Sequence, residues 1–88
     1  METKNDLRQA LRTELVARFG ADRSTLDDDT GLFSTGVIDS LSVMDLVCFV
    51  ESRIGTRVPA ADITLDNFDS IARIVAFAHA LADARKDP

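Results

Sequence analysis

The chain has 88 residues, of which 45% are hydrophobic and 28% are charged, and its formal net charge is −5. This length and apolar content predict one small folded domain over residues 1–88 and exclude a disordered chain. The acidic balance argues against a nucleic-acid partner, which requires a basic surface.

The sequence also restricts the kind of site and the compartment. Cys48 is the only cysteine and His79 the only histidine, so we expect no intrachain disulfide and no cysteine-based metal site. No apolar run approaches the ~20 residues of a membrane helix. The N-terminus lacks the basic start and apolar core of a signal peptide. We therefore expect a cytoplasmic monomer without a membrane partner.

The apolar periodicity predicts four helices and no strand. In the first helix, Leu7, Leu11 and Leu15 recur every four residues, and Asn5 or Thr3 can cap it. The expected helices span about 5–19, 40–54, 63–67 and 70–85. The fourth helix is expected to take Asp69 as its N-cap.

A long loop, residues 21–39, separates the first two predicted helices. Loops of this length in a compact domain are usually functional or held by contacts. We expect its apolar residues to pack against the helices. Gly31 and Gly36 suit turns that need a positive φ angle. Ten of the 15 acidic residues of the chain lie between residues 22 and 69, which favours basic protein partners.

The second predicted helix has two apolar faces. At ~100° per residue, one wide arc suits the core; it contains Val43, Leu46, Val47, Val50 and Ile54. A separate arc of roughly 60° contains Leu41, Met44 and Cys48, with the acidic residues Asp45 and Glu51 beside it. Such a strip with acidic edges is typical of a surface that docks partners. The alternative is a central helix that is buried on both sides.

Ser40 follows Asp39 at the start of this helix. A phosphate on Ser40 would lie at a helix N-terminus, where free amide groups and the helix dipole favour an anion. The segment Gly36-Val37-Ile38-Asp39-Ser40-Leu41 resembles the attachment motif of acyl carrier proteins, and the resemblance covers nearly the whole chain. It is that of a discrete, stand-alone carrier.

The resemblance implies an all-α fold, an acyl-carrier-protein-like four-helix bundle with a short third helix and a long loop between helices 1 and 2. It implies that 4′-phosphopantetheine is esterified to Ser40, with Asp39 as part of the motif. It also implies that partner enzymes dock along helix 2, and the matching positions are Leu41, Met44, Asp45, Cys48 and Glu51. The implied partners are a phosphopantetheinyl transferase, an acyl- or aminoacyl-loading ligase or acyltransferase, and downstream biosynthetic enzymes.

Two departures from related carriers bear on the cargo. Ser42 stands where many fatty-acid carriers have a second acid, and Val37-Ile38-Asp39-Ser40 differs from the Gly-Gly-x-Ser of many peptidyl carriers. We therefore expect a carrier of acyl thioesters in specialised metabolism, polyketide or related. An aminoacyl or peptidyl carrier is the alternative.

Two further classes of function compete with a carrier. A non-catalytic helical adaptor would use the Leu41–Met44–Cys48 strip without a prosthetic arm. A small hydrolase would use Ser40 as nucleophile, but the sequence shows no base for it and lacks the Gly-x-Ser-x-Gly elbow. We expect no catalytic residue in the chain, because it has no constellation of acid, base and nucleophile.

Overall fold

The computed structural model describes residues 3–86, and these form four α-helices joined by irregular segments. The helices are α1 (Lys4–Phe19), α2 (Val43–Ile54), α3 (Leu65–Phe68) and α4 (Ile71–Lys86). The described residues contain no strand, so the predicted all-α bundle with a short third helix and a long first loop is confirmed. The extent of the single domain over 1–88 stays a prediction, because its two ends lie outside the described residues.

Helix α4 organises the core, since it contacts α1, α2 and α3. One continuous cluster of buried apolar side chains joins the four helices, and its members include Leu7, Leu11, Leu15, Leu46, Val47, Val50, Phe68, Ile71, Ile74, Val75 and Ala78. The leucine stripe predicted for α1 is therefore its core face. Burial of each such side chain stabilises the fold by about 1.5–3 kcal/mol.

The first helix begins at one of the two N-caps that the sequence predicts for it. The Thr3 hydroxyl accepts the Asp6 N–H at 3.0 Å, and the Asp6 carboxylate accepts the Thr3 N–H at 3.1 Å. This reciprocal pair satisfies two amide groups that the first helical turn leaves without partners. Thr3, not Asn5, is thus the N-cap of α1.

The starts of α3 and α4 differ from the predictions. Residues Ala60–Asp62 form a separate 3₁₀ turn and Thr64 is extended, so α3 begins at Leu65 instead of residue 63. The prediction that Asp69 caps α4 is wrong. The Ser70 hydroxyl accepts the Arg73 N–H at 3.1 Å at the start of α4, while the Asp69 carboxylate accepts hydrogen bonds from the long loop.

The long loop is packed onto the helices, as its apolar residues predict. Leu26, Leu32 and Ile38 are buried members of the core cluster. Its first half is tied down through Asp28, whose carbonyl accepts the Ala72 N–H at 2.9 Å. The Asp28 carboxylate lies 2.9 Å from Nε of Arg8, an ion pair not aligned as a hydrogen bond. This pair is partly exposed and adds little stability.

The two loop glycines have different structural reasons. Gly36 has a φ of 81°, a left-handed conformation that favours glycine, so its predicted role is confirmed. The same prediction is wrong for Gly31, which is not among the residues with positive φ. A Cβ at Gly31 would lie 2.6 Å from the Ser34 Oγ, so a larger residue at this position would displace the Ser34 hydroxyl.

Over residues 3–86, none of the helices combines the length and the apolar character that crossing a membrane requires.

Candidate functional site

Asp39 shapes the turn that carries Ser40. Its carboxylate accepts the Leu41 N–H at 3.1 Å, and its carbonyl accepts the Ser42 N–H at 2.8 Å. The second bond spans three residues, which is the 3₁₀ pattern. Residues Ser40–Ser42 therefore form one 3₁₀ turn, and α2 begins at Val43 instead of the predicted Ser40.

The amide groups beside Ser40 are already hydrogen-bonded. Asp39 accepts those of Leu41 and Ser42, and the Ser40 carbonyl accepts the Val43 N–H. The expectation of free amide donors for a phosphate is therefore wrong at these three positions. The dipole of α2 can still favour a phosphate on Ser40, but this attraction is weaker than hydrogen bonds from free amide groups.

Ser40 itself is exposed, and its surroundings leave room for a substituent on the hydroxyl. The residue before the motif, Ile38, is 3% exposed and fixes the loop to the core, whereas Leu41 directly after Ser40 is 87% exposed. Asp39 and Ser40 are both exposed. The chain thus presents a serine hydroxyl at the surface on a turn that is fixed on its loop side.

The apolar strip predicted on the second helix lies at the surface. Leu41 and Met44 are 87% and 53% exposed, and Cys48 is also exposed. On the other face of α2, Leu46, Val47 and Val50 are buried. The alternative in which this helix is buried on both sides is therefore wrong. From here on, the docking strip means Leu41, Met44 and Cys48.

The two acidic residues expected beside the docking strip differ in their environment. Asp45 is exposed and lies in the first turn of α2. Glu51 is half-buried, and its carboxylate accepts the Val58 N–H at 2.7 Å. Glu51 therefore holds the segment after α2 in place, a contact that the helical wheel cannot show because Val58 lies outside the helix.

A groove runs beside the docking strip, between α2 and the segment of residues 57–63. Its apolar lining comes from Met44, Val47, Cys48, Val58, Pro59, Ala60 and Ile63, and its charged lining from Glu51 and Arg57. The groove is continuous with the strip because Met44 and Cys48 belong to both.

Sequence reasoning missed Asp69 as a residue that binds the loop before Ser40. Its carboxylate accepts the Phe33 N–H at 2.8 Å, the Ser34 N–H at 2.9 Å and the Ser34 hydroxyl at 2.7 Å. Burial raises the pKa of Asp69, but these hydrogen bonds outweigh it and leave the pKa below its ordinary value of 3.8. The only sequence signal is the Asp-Ser pair before α4, which also reads as an ordinary helix cap.

Comparison with known proteins identifies the class. Residues 9–78 match the family described as the phosphopantetheine attachment site. This match covers more than half of the 88 residues, so the chain belongs to that family. The family resemblance noted in the sequence is thereby confirmed, and the chain is a carrier protein whose cofactor is 4′-phosphopantetheine, bound covalently through a serine.

Among its relatives are D-alanyl carrier proteins from strains of Streptococcus thermophilus. Three of them are each 36% identical to the chain over 47 residues. The matched segment is 53% of this chain and 60% of each relative, so it spans less than two thirds of their length.

The residues present fit a phosphopantetheine group. An ester on a serine needs a hydroxyl that a modifying enzyme can reach, and Ser40 is exposed next to the exposed Leu41. Ser40 also falls within the matched residues 9–78.

Proposed function

We propose that Ser40 carries the phosphopantetheine arm of this carrier protein and that Asp39 forms part of its recognition motif. The observation that carries the proposal is the exposed serine on the 3₁₀ turn shaped by Asp39, inside the matched family region. When bound, the arm supplies a terminal thiol that can hold a cargo as a thioester. The chain supplies the attachment point and the docking surface.

The attachment reaction requires little of the carrier's own residues. The Ser40 Oγ forms a bond to the phosphorus nearest the pantetheine of coenzyme A, and the pyrophosphate bond breaks. Adenosine 3′,5′-bisphosphate leaves, and the hydroxyl proton passes to a base of the transferase. In this proposal the Asp39 carboxylate keeps the turn in shape through the Leu41 N–H, so that the hydroxyl stays at the surface.

Intact mass spectrometry tests this assignment. The protein is incubated with coenzyme A and a promiscuous phosphopantetheinyl transferase, and its mass is recorded before and after. We expect the wild type to gain one phosphopantetheine and Ser40→Ala to gain none. Ser42→Ala is the matched control, because Ser42 lies in the same 3₁₀ turn; it should gain the group. Absence of a gain in the wild type would contradict the proposal and favour the adaptor.

The docking strip is the proposed contact for partner enzymes, with Asp45 as its charged neighbour. Its support is an exposed apolar surface that begins one residue after Ser40. Exposed apolar surface of this kind is typical of interaction sites, and Met44 can adapt to differently shaped partners. We propose that the transferase, a loading ligase or acyltransferase, and downstream enzymes use this surface in turn. Glu51, the fifth predicted contact, would act there mainly by holding Val58.

For the cargo, we infer an aminoacyl group. The support is the similarity to proteins named D-alanyl carrier proteins, over 47 residues. This inference differs from the polyketide-type cargo that the sequence favours. A test is to supply the phosphopantetheine-loaded protein with an adenylating ligase, ATP and single amino acids, and to record the mass. Formation of a thioester adds the mass of the amino acid minus one water, and this mass gain would support the inference.

An acyl chain is the second candidate cargo, and one observation favours it. The groove beside Met44 and Cys48 has a mainly apolar lining, which suits a hydrocarbon chain better than a small polar amino acid. The mass of the carrier isolated from its native host separates the two cargos, because amino acids and fatty or polyketide chains differ in composition.

A further inference from the structure

Asp69 closes a clamp across the long loop. Its carboxylate accepts hydrogen bonds from the Phe33 N–H, the Ser34 N–H and the Ser34 hydroxyl, at 2.8, 2.9 and 2.7 Å. Both partners are about 35 residues away in sequence. The Asp69 clamp denotes these three bonds. Bonds to an ionised carboxylate are stronger than bonds between neutral groups, so the clamp fixes this part of the loop firmly.

Asp69 is also linked toward Ser40 by two backbone hydrogen bonds, the first of which is made by its carbonyl and not by the carboxylate of the clamp. The Asp69 carbonyl accepts the Leu32 N–H at 2.7 Å, and the Leu32 carbonyl accepts the Ile38 N–H at 2.8 Å. Ile38 is buried and directly precedes Asp39. The junction of α3 and α4 is therefore linked by two backbone hydrogen bonds to Ile38, the residue before the N-cap of the Ser40 turn.

The absence of a side chain at Gly31 leaves room for the bond between Ser34 and Asp69. A Cβ at this position would lie 2.6 Å from the Ser34 Oγ and 3.5 Å from the Asp69 Oδ2. Any larger residue would push the Ser34 hydroxyl away from the Asp69 carboxylate. Gly31 therefore leaves open the space that the closed clamp occupies.

A second tether of the loop serves as a comparison. Asp28 ties the first half of the loop to α1 and α4 through Arg8 and Ala72. It lies 12 residues before Ser40 in sequence, and no bond described above leads from it to the Ser40 turn. Of these two aspartates, Asp69 is the one from which backbone hydrogen bonds lead towards the motif.

We propose that Asp69 is a positioning residue for the attachment reaction, acting through Phe33, Ser34 and Leu32 to hold the Ser40 turn in the form that the transferase binds. This inference rests on the proposed role of Ser40. Without the clamp, only a fraction of the molecules would present Ser40 correctly. The transferase would then bind the carrier with a lower apparent affinity, because only the molecules that present Ser40 correctly can bind.

The test compares Asp69→Asn with Asp66→Asn in steady-state assays of phosphopantetheine transfer. Asp66 is a matched control, since it is an exposed aspartate three residues earlier whose carboxylate forms a 3.6 Å ion pair with the Arg73 side chain. We expect Asp69→Asn to raise the KM for the carrier about 5-fold with little change in kcat, as a five-fold smaller competent fraction requires. Asp66→Asn should stay near the wild type.

Hydrogen exchange supplies a readout that does not depend on the transferase. In Asp69→Asn the amides of Phe33, Ser34 and Ile38 should exchange faster by a larger factor than those in the middle of α1, which follow only the change in global stability. An increase by the same factor throughout the chain would mean general destabilisation without a local effect on the loop, and would overturn the positioning role.

Ser34 and Gly31 keep the proposal testable if Asp69→Asn folds poorly. Ser34→Ala removes one of the three bonds of the clamp, so its KM should rise less than that of Asp69→Asn. Gly31→Ala should raise KM through the collision with the Ser34 hydroxyl. Adding Ser34→Ala to Gly31→Ala should lower KM again, because the collision is removed.

The outcomes separate this inference from the proposed function. If the wild type is modified at Ser40 but all three substitutions leave KM unchanged, the positioning role is wrong and the attachment site stands. If the wild type takes no phosphopantetheine, the attachment site is wrong and the positioning role falls with it.

Discussion

The two faces of α2 carry similar apolar side chains in opposite environments. On one face, Leu46, Val47 and Val50 are at most 1% exposed and belong to the core. On the other, Met44 is 53% exposed, and Leu41 in the preceding turn is 87% exposed. Apolar character alone therefore does not distinguish a residue that stabilises the fold from one available to a partner. The helical period does, because it separates the two arcs.

The largest difference between the faces should be in stability. Leu46→Ala removes a fully buried side chain and leaves a cavity, so we expect a loss of about 2–5 kcal/mol in the free energy of unfolding. Urea denaturation followed by circular dichroism measures it. A loss below about 1 kcal/mol would place Leu46 outside the core, since Leu→Ala substitutions in packed cores cost more than this.

Asp69 should add a smaller stability that depends on pH. Its pKa is lowered in the folded protein from an ordinary value of 3.8, so its contribution is complete above the unfolded pKa. The contribution disappears as the pH falls from that value through the folded pKa. We expect Asp69→Asn to be less stable than the wild type at pH 7, by about 0.5–1.5 kcal/mol, because the hydrogen bonds from the partly exposed Phe33 and Ser34 donors lose the carboxylate charge.

Urea denaturation midpoints between pH 7 and pH 2.5 measure this prediction. The difference between the wild type and Asp69→Asn should narrow as the pH falls below about 4, the ordinary range of an aspartate. A difference that stays constant over this range would mean that the carboxylate charge does not contribute.

Met44→Ala should affect partner docking more than stability, whereas Leu46→Ala should affect mainly stability. Because Met44 is more than half exposed, we expect a stability change within about 0.5 kcal/mol, as for ordinary surface substitutions. The KM for the carrier in phosphopantetheine transfer should rise, because the docking strip loses apolar contact area. An unchanged KM in Met44→Ala and in Leu41→Ala would remove the support for this surface as the docking site.

Asp45→Lys should have the smallest effect, and one that depends on salt. A charge at the edge of an interface acts mainly on the association rate, so kcat/KM should fall at low ionic strength and recover as salt screens the charge. Asp83→Lys is the control, because Asp83 is an exposed aspartate on α4. Equal effects of the two substitutions would mean that only net charge matters.

The sequence predicts the features that depend on local periodicity. Three features follow from spacing within one helix. They are the leucine stripe of α1, the ends of α1 and α2 at residues 19 and 54, and the exposed docking strip. The 3₁₀ turn at Ser40–Ser42 was not predicted, because α-helical and 3₁₀ starts share the same capping residues.

Contacts across the chain were also beyond prediction. The Asp69 carboxylate and the Ser34 hydroxyl are 35 residues apart, and nothing in either segment marks the other as its partner. The same holds for Glu51 and the Val58 N–H, since residues outside the helix do not appear on a helical wheel. Single carboxylates that accept long-range bonds resemble ordinary caps and surface charges until the fold is known.

The central claim is that the phosphopantetheine arm is attached to Ser40, and the position of the modification tests it most directly. The modified protein is digested, and the peptide that contains residues 40–52 is fragmented in the mass spectrometer. Both Ser40 and Ser42 lie in this peptide, so the fragments between them decide the position. We expect the added mass on Ser40. The added mass on Ser42, or on any peptide outside this segment, would contradict the account.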